Sequence, residues 1–363
     1  MRVAVDAHVL DGRPQGTRTW LLETVSRAIP LTPHIEWLIY SHDQESFAPF
    51  QGFANAAWRR IPFRRASARL GLFWPAVLLR RQIDLALFQY HGPPLLRRRQ
   101  VPVIHDLMFE SHPQFFPAAM RWRLRLLVRH AVARAETVVV PSAWTRRELL
   151  RLYGVPEERV FLAPNGYAAG PPPARQSDGR TVLFVGRIEP RKNLDLLVDA
   201  VARMRTPDRR LVVVGTPDFR SAASCARLAG LPWVAHRQDV SAKELRALYA
   251  TAAVLGFPSA GEGFGIPIIE ALNAGLPVVA SDTTAIPDTA GDFASFFDPH
   301  APDAAERLAR LLDEAIATPK PVDRAALSQH LAQFDWQASA RALVEAVERA
   351  RHRAGSPSAP AAA

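Results

Sequence analysis

Short apolar runs of strand character alternate with stretches of helical period along almost the whole chain. Strands are predicted at Val3–Val5, Trp37–Tyr40, Leu85–Phe88, Val101–Ile104 and Thr137–Val140, with helices at Trp20–Ile29 and Met120–Ala135. The alternation pauses over residues 168–179, where Gly, Pro, Ser and Ala make a linker by composition. It then restarts, with strands at Thr181–Val185, Leu211–Val214, Trp233–Ala235, Ala253–Phe257 and Pro277–Ala280. Helices fall at Asn193–Met204, Ala242–Ala250, Pro267–Asn273 and Trp336–Arg351. Strand and helix in strict alternation imply a parallel sheet with helices on both faces. The pause implies two such α/β domains in tandem. The long last helix is amphipathic and is expected to pack back on the first domain. The expected ranges are a first domain at 1–170, a linker at 171–180, a second domain at 181–335, the crossing helix at 336–352 and a disordered tail at 353–363.

The length of 363 residues agrees with two domains, and 48% hydrophobic residues exclude a disordered chain or a coiled coil. A single cysteine, Cys225, cannot form an internal disulfide, in keeping with a reducing compartment. The first residues read as a strand rather than a signal peptide, and the longest apolar run, Leu70–Leu79, is broken by Gly71 and Pro75. A cytoplasmic protein is therefore expected. Charge changes the picture more. The formal net charge is +10, yet residues 1–174 hold 23 basic and 13 acidic groups, while residues 175–363 are balanced. The whole excess lies in the first domain.

Three stretches could carry chemistry. Residues 182–194 end a strand at Gly186, follow it with Arg187, and place Lys192 just before a helix. Ligands collect at such strand ends in open α/β sheets, and helix N-termini favour anions. Residues 259–277 hold Gly261, Gly263 and Gly265, which let a backbone approach a ligand, then Pro267 at a helix start. Glu262 lies in that glycine loop and Glu270 in the following helix, with seven residues between them. Carboxylates so placed can accept hydrogen bonds from sugar or ribose hydroxyls. His105 and Asp106 form a third candidate at a strand end. The Gly12 to Gly16 loop lacks the three-glycine spacing of a dinucleotide fingerprint, and no Cys/His pattern suggests a metal.

In this order the stretches resemble the family 4 glycosyltransferases of GT-B fold, over residues 3 to about 350. The resemblance rests on residues 185–193 (Val-Gly-Arg-Ile-Glu-Pro-Arg-Lys-Asn), on residues 257–267 with Glu270, and on residues 275–282. In the first half, His105-Asp106-Leu107, residues 140–147 and residues 163–166 are similar to family signatures. The resemblance implies two Rossmann-like domains facing across a cleft, and a retaining transfer from a nucleotide sugar that needs no cofactor and no metal. It implies that Arg187 and Lys192 hold the diphosphate, Glu262 the transferred sugar and Glu270 the ribose. The amides of Phe264, Gly265 and Ile266 would touch sugar or phosphate. His105 would contact the donor sugar, and Gly16 would lie beside the phosphates. The family usually has a glycine pair where this chain has Gln15-Gly16. A hexose is the expected cargo, mannose from GDP-mannose being a common family choice, with a glycan or lipid-linked acceptor in cell-surface polysaccharide or glycolipid synthesis.

The resemblance puts the acceptor side in the basic half. Trp58 to Trp74 mixes arginines with aromatics, and Arg97-Arg98-Arg99 and Arg121 to Arg129 add charge. That composition suits an anionic membrane surface and a peripheral protein on the inner face of the plasma membrane. A nucleic-acid partner is not expected, because no recognised module is visible and the paired glutamates would have no use. The alternative is a noncatalytic nucleotide-sugar-binding or scaffold protein of the same fold. It is disfavoured by the presence together of His105, Arg187, Lys192, Glu262 and Glu270.

Overall fold

The computed structural model describes residues 1–12, 15–80, 82–94, 100–167, 174–206 and 208–355. The chain divides into two compact units, Met1–Gly166 with Asp335–Ala363, and Tyr167–Phe334.

The first unit is built on a seven-stranded sheet of order β3-β2-β1-β4-β5-β6-β7. Its strands are β1 Arg2–Asp6, β2 Glu36–Ser41, β3 Ala56–Arg60, β4 Leu85–Gln89, β5 Gln100–Val103, β6 Val138–Val140 and β7 Val160–Leu162. Every pairing is parallel. The middle strands are buried on both faces, which is why β1 and β4 read as unbroken apolar runs. Helix Gly16–Leu31 buries Trp20, Leu21, Val25, Ala28 and Ile29, one face at helical spacing. The last helix, Trp336–Gly355, belongs to this unit. Trp336, Ala340, Leu343, Val347 and Ala350 join the core of β1 and helix Gly16–Leu31. Asp335 caps it, its carboxylate accepting from the amides of Gln337 at 3.0 Å and Ala338 at 3.2 Å.

The second unit holds a six-stranded parallel sheet of order β10-β9-β8-β11-β12-β13. The strands are β8 Thr181–Val185, β9 Arg210–Val214, β10 Val234–Arg237, β11 Val254–Phe257, β12 Val278–Ser281 and β13 Ala294–Phe297. In each sheet the strand order reverses once, between β1 and β4 and between β8 and β11. Such reversals open a crevice at the carboxyl ends of the strands.

Several boundaries differ from expectation. The described part of the expected linker is tied into the second unit. Gln176 and Asp178 donate their amides to Ala250 and Thr251, and the Asp178 carboxylate accepts from the amides of Arg180 and Thr181. Residues 168–173 lie outside the described residues. The last helix runs to Gly355 rather than stopping at 352, and of the expected tail residues 356–363 lie outside the described residues.

One close approach limits the sequence where β8 and β9 end. A Cβ on Gly215 would sit 1.9 Å from the Gly186 carbonyl oxygen, which only displacement of backbone could relieve. Gly215→Ala is expected to cost about 3 kcal/mol of stability. Urea denaturation measures it, and an unchanged midpoint would contradict the contact.

Candidate functional site

The crevice between β8 and β11 gathers most of the residues singled out from sequence. After Gly186 the chain makes the short turn Pro190–Lys192, and Asn193 takes the left-handed conformation (φ 52°) that lets helix Leu194–Arg203 begin at once. Asparagine tolerates that conformation better than most side chains. The Arg191 carbonyl accepts the Ala260 amide at 2.8 Å, joining this turn to the loop after β11. That loop is anchored on its far side, where the Glu262 amide donates to the Thr284 hydroxyl at 2.8 Å.

Glu262 is buried at the centre. Lys192 Nζ donates to its Oε1 at 2.6 Å, and Arg191 Nη1 donates to its Oε2 at 2.8 Å. Arg191 also donates to the Gly261 carbonyl at 2.6 Å and to Glu189 Oε1 at 2.7 Å. Burial opposes ionisation of Glu262, but Arg191 and Lys192 outweigh it and hold the pKa at about 2. Burial lowers the Lys192 pKa, with Arg191 adding to the effect and Glu262 opposing it. Arg187 is 39% exposed and pairs with Asp218. An ammonium has three N–H donors and a guanidinium five. Lys192 and Arg187 therefore keep donors for a further anion.

Gly265 (φ 112°) turns the glycine loop into helix Ile266–Asn273. Among the described residues, no acceptor meets the amides of Gly263, Phe264, Gly265 and Ile266. They form a row of donors at a positive helix end. Half-buried Glu270 sits one turn on, with the Tyr249 hydroxyl donating to Oε2 at 2.8 Å. Burial raises its pKa to about 7 against the lowering effect of that bond. The two glutamates thus have opposite electrostatics.

His105 and Gly16 lie in the first unit. Gly16 is the first residue of helix Gly16–Leu31. His105 follows β5, is buried, and shares a short hydrogen bond with Gln89 Oε1. Burial lowers its pKa to about 3, so the ring is neutral. Trp20, from the helix that Gly16 opens, packs edge-on to it at 5.7 Å. Asp106 accepts from the Tyr90 hydroxyl and from the Met108 amide. Among the described residues, no group of three or more His, Cys, Asp or Glu side chains is placed to hold a metal ion.

Sequence reasoning missed Arg191, Glu189, Thr284, Tyr249 and Asp218. Arg191 adjoins Lys192 and was within reach of the motif. So was Glu189, two residues before Arg191, whereas Thr284, Tyr249 and Asp218 depend on contacts distant in sequence, and nothing local marks them.

Two Rossmann-like units, with a cation-rich crevice in the second, give the chain the GT-B fold. Sucrose-phosphate synthase from Thermosynechococcus elongatus has this fold, with a TM-score of 0.74, 19% identity, and coverage of 98% of this chain and 100% of that one. Residues 171–328 match the family model for glycosyl transferases group 1, and residues 30–169 match that for glycosyltransferase family 4. The chain is accordingly a family 4-type glycosyltransferase. It is 28% identical to O-antigen chain mannosyltransferase B of Escherichia coli, over 70% of this chain and 72% of that protein. It is 32% identical to D-inositol 3-phosphate glycosyltransferase of Kineococcus radiotolerans, over 61% of this chain and 59% of that protein.

The raised Glu270 pKa has a stability consequence. The folded state holds this proton more tightly than the unfolded chain, whose value is 4.5. Its contribution is therefore complete below about pH 4.5 and is lost as pH rises through about 7. Glu270→Gln mimics the protonated form. Its melting temperature is expected to match wild type at pH 4.5 and exceed it at pH 8. A pH-independent difference would contradict the shift.

Proposed function

We propose that the chain moves a hexose from a nucleoside-diphosphate sugar to a hydroxyl of a glycan or lipid-linked acceptor, in cell-surface polysaccharide or glycolipid synthesis. The reading includes retention of anomeric configuration and no metal requirement. Its main support is the ionised Glu262, locked between Arg191 and Lys192 beside the open amides of residues 263–266. As the bond from the anomeric carbon to the diphosphate breaks, positive charge grows on the sugar and negative charge on the leaving group. Lys192 and Arg187 would neutralise the leaving diphosphate, with the amides of Phe264, Gly265 and Ile266 beside them. Glu262 has lone pairs left for the sugar hydroxyls, and Glu270 would take the ribose. His105 and Gly16 keep the donor-side roles that the family resemblance implies. The E. coli relative is named as a mannosyltransferase and the Kineococcus relative as acting with an inositol phosphate, so GDP-mannose is the first donor to test.

Membrane association belongs to the same reading, and among the expected basic stretches the Arg121 to Arg129 helix supports it best. Within Trp58 to Trp74, Trp74 is fully buried, Trp58 donates to Ser41, Arg69 is buried beside Asp6, and Arg64 pairs with Asp43. Arg97-Arg98-Arg99 lie outside the described residues. Helix Ala118–Arg134 instead exposes Trp122 at 59% and Leu126 at 71%, one turn apart. Arg123, Arg125 and Arg129 flank them, and Arg121 and Arg125 lie over the Trp122 ring at 6.0 and 5.4 Å. Apolar tips set among arginines suit an anionic bilayer face.

Nucleotide sugars that bind should raise the melting temperature. With the stabilising donor, Lys192→Ala and Glu262→Ala are each expected to lower turnover by about a hundredfold or more. Near-wild-type turnover in either folded variant would remove the site assignment, and stabilisation without turnover in the wild type would favour the noncatalytic alternative. Chelation with EDTA should leave turnover unchanged. For the membrane, Trp122→Ser with Leu126→Ser should weaken co-sedimentation with phosphatidylglycerol vesicles by about tenfold. Gln at Arg59, Arg60, Arg64 and Arg65 should weaken it less, and the reverse order would return the contact to the β3 segment.

A further inference from the structure

The glycine loop after β11 is held along one edge by the segment that follows β12. Thr283 Oγ1 donates to the Ala260 carbonyl at 3.2 Å, and the Ala285 amide donates to the Glu262 carbonyl at 3.3 Å. Thr289 Oγ1 donates to the Phe264 carbonyl at 2.8 Å. These carbonyls alternate along the loop, and all of them meet residues 283–289. A planar trans peptide points its C=O and the next N–H in opposite directions. The peptides of this loop are trans. The amides of Gly263 and Gly265 are therefore aimed away from residues 283–289. The Gly261–Glu262 peptide shows what lies on that other side. Its N–H donates to Thr284 Oγ1 at 2.8 Å, while its C=O faces the opposite way and accepts from Arg191 Nη1 at 2.6 Å. The two open amides thus point to the side on which Arg191 stands.

Thr284 holds its place against strain. It is β-branched, yet its φ of 55° is left-handed, a conformation that glycine would adopt freely. Strain of this kind persists only where the surroundings over-determine it, and it clusters at ligand sites. Here the hydroxyl supplies the constraint, donating to the Thr283 carbonyl at 2.8 Å while it accepts the Glu262 amide. Thr289 is buried, and its own carbonyl accepts from His330 Nε2 at 2.9 Å. The Phe264 ring packs edge-on to Phe334 at 5.3 Å, so that residue is fixed at its side chain as well as its carbonyl.

We propose that Thr283, Thr284 and Thr289 are positioning residues, a rack of hydroxyls that aims the amides of Gly263 and Gly265 at the diphosphate of the donor. This rests on the glycosyltransferase reading above and adds the groups that set its phosphate contacts. The threonines act through the loop backbone and touch no ligand themselves. Donors fixed before the ligand arrives need no reorganisation when charge develops on the leaving group. A loop without the rack would have to order its glycines on binding, at the cost of their backbone freedom.

The test uses the full chain and isothermal titration with two probes. One is the nucleoside diphosphate of the nucleotide sugar that stabilises the chain, and the other is the nucleoside of the same base, which has no phosphate. Thr289→Val keeps the side-chain shape and drops the hydroxyl, and it is expected to raise the Kd for the diphosphate about tenfold. Its Kd for the nucleoside should stay within about twofold of wild type. Thr289→Ser, which restores the hydroxyl, should bring the diphosphate back to within about threefold. Thr284→Gly relieves the backbone strain yet loses the hydroxyl, and should weaken the diphosphate by a similar factor to Thr289→Val. It also decides the matter if the buried valine variant fails to fold. A diphosphate Kd within about twofold of wild type in the folded variants overturns the proposal. Equal losses for diphosphate and nucleoside overturn it too, as does a serine variant no better than valine. If the wild type binds no nucleotide sugar and no nucleoside diphosphate, the donor-site reading fails, and this one with it.

Discussion

Glu262 is the constraint on which the second unit's site depends. One buried carboxylate receives Lys192 on one oxygen and Arg191 on the other, and Arg191 also holds the Gly261 carbonyl and Glu189. Two loops distant in sequence, one after β8 and one after β11, are thereby fastened to each other across the point where strand order reverses. Taking one partner from such a buried pair leaves an uncompensated charge, at a cost of about 3–5 kcal/mol. The glycines that follow have no side chains with which to hold their own shape. Their amides stay open to a ligand because the charges beside them fix the backbone.

The charge of the chain acquires a different meaning once its positions are known. The first unit holds 27 basic and 16 acidic residues, and the second is close to balanced. Yet the anion-binding candidates lie in the balanced unit, where three cations are each matched by carboxylates. Local placement decides what binds there, and net charge does not. Nor are the arginines of the first unit equivalent. Arg69 is consumed inside the fold by Asp6, whereas those of helix Ala118–Arg134 stand on the surface around an exposed tryptophan.

The parallel sheets were legible because buried strands show as apolar runs, and β1, β4, β8 and β11 each do. The edge strand β3 was not. Its Ala-Ala-Trp-Arg-Arg has intermediate burial, so it reads as a basic aromatic patch rather than a strand. β13 is partly exposed in the same way. The glycine loop and its glutamates were visible as a local motif, as were Arg187 and Lys192. Thr284, Asp218 and Tyr249 were not, because their roles arise only from contacts that the fold creates. The residues near 175–180 looked like linker by composition, but their backbone pairs with Ala250 and Thr251. Composition reports the lack of apolar side chains and is blind to main-chain bonds.

The two glutamates of the motif show why spacing alone could not have assigned them. They are the same residue type, in one loop and the helix it opens, and burial opposes the ionisation of both. Glu262 has two cations within hydrogen-bond reach, and its proton is driven off. Glu270 has one phenol, which is too weak to offset burial, and its proton is retained to about pH 7. Environments that push two like groups apart divide the labour between them. Glu262 is a permanent charge that orders the loop and always accepts. Glu270 holds its proton toward neutral pH, so a hydroxyl that donates to it would favour the carboxylate. The helix carboxyl is thus responsive to what donates to it, and the loop carboxylate is set beforehand.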